Sequence, residues 1–212
     1  MEKELITQEQ IMKVLDKCYE GAMNGLPGSK PCDILANDYL EKYKDPTIAA
    51  KKLIDAQVAK CTTSGFLTSL GGLITLPVTI PVNITSVLYV QIRMIGALAI
   101  IGGYDLKNDE VQTMVYLCLI KSSVSDICKS AGVQVANKIT MTMLKKLPGT
   151  VLTKINQKVG FRLLTKFGEK GVVNLVKLVP IAGGVVGGSV DLIGTKLIAD
   201  KAYKAFLLNE IE

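Results

Sequence analysis

The chain has 212 residues, 49% of them hydrophobic and 5% aromatic, with a formal net charge of +6, no Trp and no His. Without histidine, Ser-His-Asp and Cys-His catalysis, imidazole acid-base chemistry and nearly every zinc site except an all-cysteine one are excluded. Mean hydropathy is +0.34, high for a soluble domain and low for a polytopic membrane protein.

The chain opens on a charged, partly acidic stretch (Met1-Glu-Lys-Glu), unlike the basic-then-apolar layout of a signal peptide, so the expected side of the membrane is the cytosolic one. Thr7 and Gln10 have the spacing of a capping box. Ile11, Val14, Leu15, Cys18 and Tyr19 follow at helical intervals. Gly25 to Pro31 reads as a loop, Cys32 to Lys44 as a second helix, and Asp45-Pro46 as the start of a third, with Asp as N-cap and Pro at the first position.

From Cys61 to Tyr104 there is one charged residue, Arg93, with Pro77 and Pro81 part-way along. The stretch is too long for one span of about 20 residues. Its first arm, ending at Leu76, is too short to cross a bilayer, and its second carries a central arginine that is costly in lipid. The expectation is a helical hairpin hidden inside the fold. Gly102-Gly103 ends it, and Asn108-Asp109-Glu110 opens a helix with Val111, Met114, Val115, Cys118 and Leu119 on one face. A less regular helical pattern is expected to Leu147, then a break at Pro148-Gly149, then a helix over Val151–Phe167 interrupted near Gly160.

The last apolar stretch, Val172–Ala199, holds Gly183, Gly184, Gly187 and Gly188 in two overlapping G-x-x-x-G pairs. These are read as helix-packing glycines: neither the lysine of a P-loop nor the strand of a dinucleotide fingerprint accompanies them. Asp191 lies one turn beyond. It and Arg93 are lone charges in the two most apolar stretches, so a buried Arg93–Asp191 ion pair is expected. The charged tail from Asp200 reads as a helix end carrying Tyr203 and Phe206.

Five cysteines (Cys18, Cys32, Cys61, Cys118, Cys128) are scattered without a C-x-x-C pair, which fits reduced, packed thiols better than a disulfide frame. No catalytic residues, cofactor site or metal-ligand spacing stand out, and the expectation is a non-enzyme.

Charge is concentrated in one region. Lys121, Lys129, Lys138, Lys145, Lys146, Lys154, Lys158, Arg162, Lys166, Lys170 and Lys177 are opposed only by Asp126 and Glu169, a net +9. Basic residues beside an apolar helical stripe suit an anionic membrane surface. Nucleic acid is not expected as a partner, because no base-reading motif is present and only Phe161 and Phe167 offer stacking. A solvated basic face without a partner is the bland alternative.

Three stretches carry a family resemblance: Tyr39-Leu-Glu-Lys-Tyr43 with Asp45-Pro46, Thr63 to Pro77, and Ser86 to Met94. They continue in Gly102-Gly-Tyr-Asp105, Lys154 to Arg162, and Val179 to Gly188 with Asp191. Together they resemble the EcsC family over about residues 20–207, with 1–19 left as an N-terminal helix and 208–212 as a tail. The resemblance implies a bacterial, membrane-linked setting, since the family is named for a protein encoded beside an ABC exporter, and it brings no catalytic residues.

The combined expectation is an all-α, single-domain helical bundle around a central apolar hairpin. It would bind anionic lipid peripherally at the inner face of the cell membrane, in connection with a membrane transporter or an envelope process. A membrane-inserting pore former or its immunity protein is the second reading, and an enzyme of unknown class the third.

Overall fold

The computed structural model describes residues 6–61, 82–120, 123–135, 138–167 and 186–211, without the side chains of 61, 82–84, 166–167 and 186–193. Among these residues the regular structure is helical, apart from two isolated β-bridges. The chain is all-α, as its periodicities imply.

Helix α1 spans Gln8–Asn24. Its capping box forms: the Gln10 amide donates to Thr7 Oγ1 at 3.2 Å, and the Thr7 amide donates to Gln10 Oε1 at 2.7 Å. Two of the four orphan amides at this terminus are thereby satisfied. Ile11, Val14, Leu15, Cys18, Tyr19 and Ala22 form its buried face.

Helices α2 (Cys32–Tyr43) and α3 (Pro46–Cys61) are separated by Lys44, which takes a left-handed conformation and closes α2 through its amide on the Leu40 carbonyl. Asp45 caps α3 as expected, its Oδ1 accepting from the Ile48 amide at 2.8 Å.

Helix α4, Val82–Ile101, is the axis of the fold. It packs against α1, α2 and α3 and, further along the chain, against α5 (Asp109–Cys118) and α9 (Val186–Leu207). A helix contacted from so many sides must be apolar around its whole circumference. From Thr85 to Ile101 nearly every side chain is buried, including Leu88, Tyr89, Val90, Ile92, Met94, Ile95 and Leu98. This is the second arm of the expected hairpin. The first arm and its proline turn lie outside the described residues. Gly103, at φ 82°, closes α4 in a Schellman arrangement, with Tyr104 N–H bonding the Ala99 carbonyl and Gly103 N–H the Ile100 carbonyl.

The less regular helical pattern expected to Leu147 resolves, among the described residues, into three helices. After α5 come the short helices α6 (Val124–Ser130) and α7 (Met141–Lys145), opened by Ser123 and Thr140 as side-chain N-caps. Hydroxyl residues that offer the backbone local hydrogen bonds favour such restarts over continuation.

Helix α8, Gly149–Phe167, is continuous through Gly160, so the expected interruption is corrected. Here the glycine serves contact: a Cβ at that position would lie 2.6 Å from Met12 Sδ, where α1 crosses α8.

Helix α9 runs parallel to α4 in a constant register. Gln91 Nε2 donates to Thr195 Oγ1 at 3.1 Å, 104 residues apart. Gly102 meets the carbonyl of Phe206 across the same interval. Gly187 and Gly188 fall in the first turn of α9, while Gly183 and Gly184 lie outside the described residues. The helical tail ends at Leu207. Beyond it Asn209 turns the chain at φ 57° and Ile211 bridges to Ile139, rather than extending the helix.

Candidate functional site

Helix α8 presents two faces of opposite character. Leu152, Ile155, Val159 and Leu163 recur at helical spacing and are buried against α1 and α5. Lys154, Lys158, Phe161 and Arg162 are exposed. At 100° per residue these four fall within an arc of about 100°, with Phe161 on the edge nearest Lys154. The helix from Gly149 to Phe167 contains no acidic residue. Among the described residues none of the three cations is paired with a carboxylate. Phe161 is 50% exposed, a large ring left in water beside three positive charges.

The other basic residues of the region divide by environment. Lys138 forms an ion pair with Glu210 at 2.6 Å, and the Lys145 ammonium lies 5.9 Å from the Tyr104 ring centroid. Lys146 is exposed just before α8. Lys129 lines a shallow groove of about 580 Å³ with Gly132, Val133, Gln134 and Val135. Lys121, Lys170 and Lys177, and the side chain of Lys166, lie outside the described residues. The structure therefore gathers Lys154, Lys158 and Arg162 on one face and commits Lys138 to a different partner.

Arg93 is buried in the seam between α4 and the α2–α3 pair. Its Nε donates to the Lys30 carbonyl at 2.6 Å and Nη1 to Gln57 Oε1 at 3.3 Å, while the Cys32 thiol donates to the Arg93 carbonyl at 3.4 Å. The Asp191 side chain, its expected partner, lies outside the described residues. Carried along α9, the 104-residue register sets position 191 level with Val87. That is six residues short of Arg93, or about 9 Å along the axis.

A second polar chain crosses the α1–α5 contact. Tyr116 O–H donates to Asp16 Oδ1 at 2.8 Å and accepts from Gln112 Nε2 at 3.0 Å. Burial raises the Asp16 carboxyl above the usual carboxylate range, partly offset by that hydroxyl. Burial likewise pushes the thiols of Cys18, Cys32 and Cys118 up to about 12 and that of Cys128 to about 11. Thiols held neutral in this way are poor nucleophiles. Among the described residues no group of three or more Cys, Asp or Glu side chains is placed to hold a metal ion. Nor is any helix among them long and apolar enough to cross a membrane.

A family model described as the EcsC protein family matches residues 7–208. The chain belongs to the EcsC protein family. No curated protein and no solved structure matches it.

The EcsC match takes in α1, which the sequence reading had set apart as residues 1–19, and α1 indeed contributes to the common core. Sequence reasoning did not single out Gln57 and Thr195, which with Gln91 line the polar seams of this EcsC chain. Gln57 did carry a signal, since it follows Leu53 by four positions and Ala50 by seven, inside the apolar stripe of α3. A glutamine in such a stripe marks a buried amide that needs partners.

Proposed function

We propose that this EcsC-family chain is a non-enzymatic protein that associates peripherally with an anionic membrane, at its cytoplasmic face, through the outer face of α8. The observation that carries the reading is the unopposed stripe of Lys154, Lys158 and Arg162 with Phe161 exposed beside it. Each cation near an anionic bilayer surface contributes about 1 kcal/mol. The aromatic ring adds an apolar anchor that zwitterionic and anionic lipids share. Its inner face holds α8 to α1 and α5, so the helix can lie flat on a bilayer without unfolding its support.

A membrane transporter is the partner that the family's name-giving setting favours, since a peripheral protein at the bilayer surface is placed to meet one. Vesicle flotation tests the reading. The protein should float with anionic vesicles and not with zwitterionic ones, and high salt should release it, because surface charges are screened over about 3 Å at 1 M salt. Release of an entrapped dye during the same experiment would favour a membrane-inserting pore former instead. Failure to float with any vesicle would defeat both.

A further inference from the structure

The second feature with binding chemistry lies away from α8, in the core seam where Arg93 meets Gln57. Arg93 is 4% exposed and Gln57 is fully buried. A guanidinium carries five N–H donors and no acceptor. Two of its nitrogens are engaged, Nε by the Lys30 carbonyl and Nη1 by Gln57 Oε1. Both acceptors are neutral, and no ion pair among the described residues includes Arg93.

Gln57 sharpens the imbalance. Its carbonyl oxygen is committed to Arg93, which sets its amide nitrogen beside the guanidinium, and that Nε2 has no hydrogen-bond partner among the described residues. The unpartnered Gln57 amide thus lies, in a buried place, beside a guanidinium whose charge no carboxylate among the described residues balances. Leaving a buried donor unsatisfied is costly, and leaving a buried charge uncompensated more so. A phosphate presents acceptor oxygens in several directions and pairs well with arginine, so one group can serve donors on both side chains.

We infer that Arg93 and Gln57 form an internal oxyanion site that takes a phosphate group, supplied free or as a phospholipid headgroup. The site stands on different residues from the α8 surface and does not depend on it.

Thermal unfolding of the full chain, titrated with inorganic phosphate or short-chain phosphatidic acid against chloride at matched ionic strength, tests the site. Phosphate should raise the midpoint beyond chloride. Gln57→Met, which removes the amide and keeps its length, should weaken the apparent affinity about tenfold or more. Arg93→Met should abolish the response. Should Arg93→Met fail to fold, Gln57→Met alone decides. A response to phosphatidic acid and not to inorganic phosphate assigns the headgroup as the source. The triple variant Lys154→Gln, Lys158→Gln, Arg162→Gln should keep the response. Two results would overturn the inference: no response to either probe beyond chloride, or a response that Gln57→Met leaves unchanged.

Discussion

Two glycines at helix contacts should respond unequally to the same added methyl. At Gly102 a Cβ would collide with the backbone carbonyl of Phe206, where α4 and α9 come together in parallel, and Tyr104 crowds the same point at 3.2 Å. Backbone in a packed helix cannot step aside without moving the helix. Gly102→Ala should therefore sit at the upper end of the overpacking range, a loss of about 2–3 kcal/mol. At Gly160 the neighbour is the flexible end of Met12, with Sδ at 2.6 Å and Cγ at 3.2 Å. A methionine can rotate away, and alanine gains about 1 kcal/mol of helix propensity over glycine in mid-helix. Gly160→Ala should thus stay within about 1 kcal/mol of the parent. For a chain of this size the Gly102 variant should melt about 5–10 °C lower, on the scale of 2–4 °C per kcal/mol. Thermal unfolding followed by circular dichroism reads both. Equal losses, or a Gly102→Ala protein as stable as the parent, would refute the parallel α4–α9 contact on which the reasoning depends.

Thr7→Ala should cost about 1 kcal/mol through loss of the capping box while leaving the fold intact, as read by urea denaturation. The four described thiols should resist alkylation at pH 8 until the protein is unfolded, since burial lifts them from an ordinary value of 9.0 to about 11 or 12. The same shift means that their contribution to stability is complete below about 9 and is lost as pH climbs through 11 to 12. Rapid labelling of the native protein would contradict the burial of these side chains. Asp16 is also raised by burial, from 3.8. The folded state therefore favours its protonated form, and its contribution declines as pH rises through its folded value. Asp16→Asn should gain stability relative to the parent at pH 7, and the gain should vanish below pH 3.8. A gain that is the same at both pH values would show that the carboxyl is not penalised in the fold.

The local signals in the sequence were those in which chemistry acts over a few residues. The Thr7–Gln10 box, the Asp45 cap and the Gly102-Gly103 stop each formed as their residue types require. The largely apolar stretch after Pro81, with Arg93 its one charge, became the central helix because only a core can hide such a surface. Less legible were features decided across the chain. Gly160 reads as a helix breaker on its own, and only the arrival of Met12 from α1 shows why it is tolerated. The breaks between α5 and α8 depend on where hydroxyl caps compete with a weak apolar pattern, which periodicity alone does not resolve. Among the basic residues, composition marked the region, but the fold decides that Lys154, Lys158 and Arg162 share a face while Lys138 is tied to Glu210. Arg93 was expected to need a partner, and the partners described for it are a backbone carbonyl and a neutral amide.

The central claim concerns the outer face of α8, and the most direct measurement is the partition of the parent and the Lys154→Gln, Lys158→Gln, Arg162→Gln variant onto vesicles rich in anionic lipid. Removing three cations should weaken partition about a hundredfold at low salt, on about 1 kcal/mol for each. Both proteins should unfold at similar temperatures, because these side chains are exposed. Equal partition of the two proteins, or binding by the parent that is indifferent to lipid charge, would contradict the account.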